Sequence, residues 1–461
     1  MTAQSETAPQ DDDRPSAVHR SLLPDGVIDL AAIAGAAVAG VTLGGTSLAA
    51  AQDTAPPVTG WVNVTDSPWN ADNTGTRDAT AAIGSALASA ASDGAAGVVY
   101  LPAGVYLTSG PLPVPHGVTL CGAAPVGHSG DGQAQHGISV IKPAPSGGIS
   151  AWSAGASVNG VISMDVSGGI AHTGMTVENV WIDGSGLSGF SNNPAVDGIA
   201  AVGPVESVTI RCVGVHAVSG NGIAGYSDGA GKPAGWLVES SAAQSCSGYG
   251  AAFAGTGSYL NNVRAQQCGH GFSITQGDNR LIGCHAEHSV LGSGFTIDAR
   301  QPGNFFGSIT LIGCGTEGNN QHGLSLINSG TLPGSIMNDP VIAIGCSFDG
   351  DGVNDFADDG HYAGISVSGI NMLILSACNV TVSTGTVTTG CPQHALAIAS
   401  NAQGSPMLIQ ALGGFWNCAG PTLIHPAASP PVQVLSYRVH GFTGGQMGPS
   451  DGVETFQFGQ L

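Results

Sequence analysis

The sequence predicts an all-β solenoid, a parallel β-helix of stacked coils, on two observations. The first is a pattern that recurs three times: Ile282-Gly283-Cys284-His285-Ala286-Glu287, Ile312-Gly313-Cys314-Gly315-Thr316-Glu317 and Ile344-Gly345-Cys346-Ser347-Phe348-Asp349. A unit that recurs every 30 to 32 residues is one coil of strands and turns that buries its apolar side only by stacking on its neighbours. The second is composition. The 461 residues include 73 Gly, and 9% are charged, against about a quarter in an ordinary globular protein. A helical protein of this length needs far more Lys, Glu and Leu, whereas stacked coils use Gly at tight turns and small or β-branched residues in strands.

Read as one strand, each copy alternates between two faces. Ile282, Cys284, Ile312, Cys314, Ile344 and Cys346 are therefore expected inside, and Glu287, Glu317 and Asp349 outside, with about 4.8 Å between rungs.

The other segments follow in chain order. Residues 1–25 are polar and rich in Asp and Pro, the composition of a flexible arm. The Ala/Gly run 28–51 reads as an attachment or oligomerisation segment, an atypical export signal ending near Ala51, or a membrane anchor. Asp78 is placed to cap a short Ala-rich helix running to about Ser92. Gly222, Gly271, Gly294 and Gly323 each open a strand after a turn, a second ladder. The stretch 349–361 lengthens one coil on the acidic face, and beyond Gln403 the pattern loosens. The expected organisation is an arm over 1–55, a capped β-helix over 56–403, and a carboxy-terminal cap or oligomer contact over 404–461.

Of the ten Cys, Cys212 and Cys378 match the phase of the repeated Cys and are expected as buried thiols, while Cys391 and Cys418 could pair. The absence of any CxxC spacing argues against zinc. A net charge of −21 with ten cations argues against nucleic acid or an anionic membrane as partner.

Residues 72–83 (DNTGTRDATAAI), 97–107 (GVVYLPAGVYL) and 115–122 (PHGVTLCG) resemble the opening of the pectate-lyase-like superfamily of right-handed parallel β-helices, which includes pectate lyases, polygalacturonases and phage tailspikes. The resemblance implies a right-handed coil with an amino-terminal capping helix, a polysaccharide substrate, and an extracellular place, on a virion tail or secreted. From the tailspikes it also implies a homotrimer. The polygalacturonase motifs are not reproduced: His322-Gly323 and Asp358-Asp359 occur in another order and spacing, and no Arg-Ile-Lys exists. The pectate lyases use Ca²⁺ and an Arg or Lys base, which points to Arg264, Arg280 and Arg300; otherwise no cofactor is expected.

Carboxylates on neighbouring rungs suit glycosidic chemistry, in which one acts as acid and the other as base or nucleophile. Glu287, Glu317 and Asp349 are the catalytic candidates, with His285, His322, His361, Arg280 and Arg300 as substrate contacts. The expected activity is a tailspike-like polysaccharide depolymerase, glycosidase or lyase. A secreted pectate-lyase-like enzyme and a non-catalytic glycan-binding module are the alternatives.

Overall fold

The computed structural model describes residues 61–461 apart from 93–96, 127–136, 145–158, 166–171, 188–194, 229–230, 299–306, 328–338, 353–362, 369, 382–393, 399–406, 418–422, 425–431, 438, 440–452 and 459–461. Residues 1–55, Arg300, His361, Cys391 and Cys418 thus lie outside the described residues.

The described strands form three long sheets, of 14, 12 and 11 strands, and each coil contributes one strand to each sheet in turn. One coil runs Arg280–Ile282, His285–Glu287, Phe295–Asp298. The next repeats it as Ile309–Ile312, Gly315–Glu317, Leu324–Ile327. Pairing between coils is parallel and in register. This is the expected parallel β-helix. The first sheet continues past Gln403 through Met407–Leu412, Val432–Tyr437 and Val453–Phe458. Helix Thr80–Ser92 turns Ile83, Ala86, Leu87 and Ala90 into the core, and its first N–H, from Thr80, is taken by Asp78 Oδ1 at 2.9 Å. No helix among the described residues is long and apolar enough to cross a membrane.

The repeated motif does not lie on one strand. Gly283, Gly313 and Gly345 have φ of 59°, 57° and 61°, the left-handed region that Gly enters without a steric penalty. They turn the chain from the first sheet to the second. That corner resets the alternation, so Cys284, Cys314 and Cys346 are buried as expected but the isoleucines are not. Ile282, Ile312 and Ile344 are 37%, 38% and 41% exposed, and the core positions of those strands are Leu281, Leu311 and Ala343. Each buried thiol reaches back to a carbonyl of the coil before, Cys314 to Leu281 O at 3.3 Å and Cys378 to Ala343 O at 3.3 Å. Cys212 is not in this stack: with φ 52° it occupies the corner itself and is partly exposed.

A second left-handed corner, at Ser245, Gln267, His288, Gly318 and Gly350, leads from the second sheet to the third. The residues just after it point inward, as Cys246, Cys268, Ser289, Asn319 and Asp351. The expected glycine ladder follows. A Cβ on Gly271 would stand 2.1 Å from Gly294 O, and one on Gly294 2.5 Å from the Thr316 methyl. The second and third sheets meet too closely there for any side chain. Phe272 and Phe295 stack in the core with centroids 4.8 Å apart.

The corner stack ends in a buried acid. Asp351 Oδ1 accepts the N–H of Asn319 at 3.1 Å and its Nδ2 at 2.8 Å, while Thr316 Oγ1 bonds Oδ2. Burial outweighs these bonds and pushes the carboxyl up to about 7. The folded chain then holds a proton that the unfolded chain has released. This contribution to stability is fully present below about pH 4, is lost as pH rises to about 7, and stays lost above. Asp197, raised to about 6, acts in the same direction. Asp351→Asn should therefore raise the urea midpoint at about pH 8 and flatten its fall between about pH 4 and 7. An unaltered pH profile would contradict this role.

Candidate functional site on the second sheet

The second sheet presents one polar row to solvent. Register pairs Asp183 with His216, then Gln244, Gln266, Glu287, Glu317, Asp349 and Thr381 on successive coils. The three predicted catalytic carboxylates thus occupy adjacent rungs, as the repeat required.

Their surroundings differ. Glu287 is only 6% exposed. Arg264 Nη2 reaches both its oxygens, at 2.6 and 2.5 Å, and His285 Nδ1 lies 2.6 Å from Oε1. Burial alone would raise the carboxyl, but hydrogen bonds and charge from Arg264 and His285 hold it below its ordinary value. Glu287 is therefore an ionised acceptor with both oxygens engaged. Glu317 is exposed, and half-buried Asp349 accepts a hydrogen bond from Thr381 Oγ1 at 2.8 Å. The His285 ring extends over the next rung, where a Cβ on Gly315 would lie 2.4 Å from Cδ2 and 2.7 Å from Nε2. Glycine at 315 leaves room for that ring.

A second charged cluster lies at the amino-terminal end of the row. Lys142 Nζ is 3.0 Å from Asp183 Oδ2, and His216 Nδ1 is 3.6 Å from Oδ1. Burial would raise the Asp183 carboxyl, but bonds from Ser185 and Lys142 lower it. His216 stacks on Trp181, which packs with Val126, Ile138 and Val140 in a small apolar cluster apart from the main core.

Of the other predicted contacts, the two among the described residues, Arg280 and His322, are not brought to the carboxylates. Arg280 is on the outer face of the first sheet, donating to Tyr259 Oη at 3.1 Å with its guanidinium 5.3 Å from that ring. His322 stands at the start of the third sheet. Its Nδ1 accepts the Ala363 N–H at 3.0 Å, and burial lowers its pKa to about 4. Sequence reasoning gave Arg264 no place among the substrate contacts and did not name Lys142 or His216. The signal for Arg264 was present, because Arg264-Ala265-Gln266 repeats His285-Ala286-Glu287 one coil earlier.

The row as described does not make a Ca²⁺ cage. Glu287 is taken up by Arg264 and His285, and no group of three or more His, Cys, Asp or Glu side chains among the described residues is placed to hold a metal ion, whereas Ca²⁺ takes about six to eight oxygens.

Residues 61–292, half of the chain, match the family described as rhamnogalacturonase A/epimerase, pectate lyase-like. The chain belongs to that family. The match to this rhamnogalacturonase A/epimerase, pectate lyase-like family includes both cation–carboxylate–histidine clusters and stops before Glu317 and Asp349. No curated protein matches the sequence. Among solved structures, the A-module of the mannuronan C-5 epimerase AlgE6 of Azotobacter vinelandii is similar, with a TM-score of 0.59 at 18% identity, covering 87% of this chain and 100% of that one. The amino-terminal fragment of bacteriophage Phi29 gene product 12 has a TM-score of 0.59 at 14% identity, over 86% of this chain and 65% of that one. The tailspike of Escherichia coli bacteriophage HK620, solved with a pentasaccharide, also gives 0.59, at 12% identity over 82% and 67%. At these identities the likeness is one of fold.

Proposed function

We propose that the chain is a polysaccharide-cleaving enzyme whose substrate lies along the outer row of the second sheet. The observation that carries this is the row itself, with carboxylates on three consecutive rungs and one of them fixed by an arginine and a histidine. Adjacent strands are about 4.8 Å apart, close to the separation of about 5–5.5 Å in retaining glycosidases. Glu317 and Asp349 fill the two roles. Glu317 protonates the glycosidic oxygen as its bond to the anomeric carbon breaks, and Asp349 attacks that carbon to form an ester. Water then hydrolyses the ester and returns a proton to Glu317. Glu287 does not touch the bond but orients His285 and Arg264 toward the sugar.

The charges favour a neutral glycan. Lys142 and Arg264, the cations beside the row, are both paired with carboxylates, and the exposed Arg77 lies on the first strand of the sheet, away from the three acids, so the row itself holds no spare cation for a uronate. Belonging to a family named for rhamnogalacturonase and epimerase, and a fold shared with a tailspike that holds a pentasaccharide, both support a glycan substrate. The bond between His285 and Glu287 favours one alternative, β-elimination. In it, Nε2 of His285 removes a proton next to a uronate carboxylate, the glycosidic bond breaks, and the departing oxygen takes up a proton.

The test is incubation with neutral and uronate-containing polysaccharides while reducing ends and unsaturated-sugar absorbance are followed together. New reducing ends from a neutral chain without absorbance are expected. Absorbance from uronates would replace hydrolysis with elimination, and no cleavage of any chain would overturn the catalytic reading.

A further inference from the structure

The first sheet carries a feature that the carboxylate row does not use. Its outward positions from Tyr259 to Leu412 include Tyr259, Ile282, Ile312, Ile344 and Leu412, each 37–42% exposed and placed in rows by the parallel register. Single exposed aliphatic side chains are ordinary, but Ile282, Ile312 and Ile344 stand on three consecutive rungs of one row, which Ser376 separates from Leu412, and such an in-register run marks an interaction surface. Among the described strand residues of this sheet from Tyr259 to Leu412 there is no acid, and Arg280 is turned onto Tyr259.

We infer that this face packs against the same face of a second copy of the chain. Charge selects that partner. With a net charge of −21, two copies repel except where neither presents acids, and a basic partner would be drawn to the carboxylates of the second sheet instead. Spacing selects it too, because another copy presents side chains at the same rise of about 4.8 Å per rung. The geometry fits a two-fold axis through Ile312. In an antiparallel face-to-face pair, Ile312 meets its own counterpart and Ile282 faces the partner's Ile344, so one self-complementary patch closes the assembly. The carboxylate row, on another sheet, stays open to substrate.

Sedimentation of the full chain, together with Ile282→Asn/Ile312→Asn/Ile344→Asn, tests this. The parent should have the mass of a dimer and the variant half of it, with the same circular dichroism. The side chains are outward, so the fold has little to lose. Ile312→Cys gives a check independent of variant folding, since mild oxidation should link two chains through that residue on a non-reducing gel. A monomeric parent, a trimer, a dimer that survives the triple substitution, or a cysteine variant that fails to cross-link would each overturn the pairing.

Discussion

Glu317→Gln is expected to lower glycan turnover by about 10²–10⁴-fold, the usual contribution of a positioned proton donor, while leaving the melting temperature unchanged. Glu317 is exposed and its carboxylate has no hydrogen-bond or ion-pair partner among the described residues, so its amide costs the fold nothing. The same exchange at Glu287 should behave differently. Relief of repulsion in a bare acidic ladder would predict stabilisation, but Glu287 is held by Arg264 and His285. Glu287→Gln gives up those charge-assisted bonds, with an expected loss of about 1–3 kcal/mol, and frees the His285 ring. Because the folded carboxyl titrates below its ordinary value, its contribution is present above the unfolded pKa and disappears only as pH falls through the folded one. Turnover and thermal denaturation measured on both variants separate the roles. Undiminished turnover in Glu317→Gln would remove that residue from the chemistry, whereas unchanged stability in Glu287→Gln would mean the triad holds nothing in place.

Leu311→Ala should destabilise the protein by about 2–5 kcal/mol, and its neighbour Ile312→Ala by about 0.5 kcal/mol or less under conditions that keep the chain monomeric. Leu311 is fully buried, so truncation leaves a cavity between neighbouring coils; Ile312 is 38% exposed and opens none. Denaturant titration of the pair decides the phase of the coil directly. A larger loss at Ile312 would restore the single-strand reading of the repeat.

That pair also shows what was legible in the sequence. The repeat specified the coil, the stacking of Cys284, Cys314 and Cys346, and the register of Glu287, Glu317 and Asp349, because each of these follows from spacing alone. It did not reveal the corner. A left-handed residue shows in sequence only when it is Gly, and the same corner is taken by Cys212, Ser240, Asn262 and Ala377 in other coils. Without the corner, strict alternation assigned the isoleucines to the wrong side. The candidate site was legible to the same extent. Residues one coil apart on the second sheet could be aligned, but Arg280 and His322 were grouped with the acids by proximity in sequence. In a solenoid, a separation of a few residues crosses from one sheet to another, while Arg264, about twenty residues before Glu287, is its neighbour.

The coil, rather than the residue, is thus the natural unit of change in this molecule. Joining Gly283 directly to Cys314 would excise one whole turn, yet every inward stack would meet an equivalent partner. Glu317 would then stand beside Arg264, with Gly315 where His285 had been, and an exposed acid would become a paired one without any substitution. A lineage that duplicates or drops coils can in this way rewrite its chemistry by recombination at corners, keeping the core intact while the outer face is dealt a new sequence of neighbours.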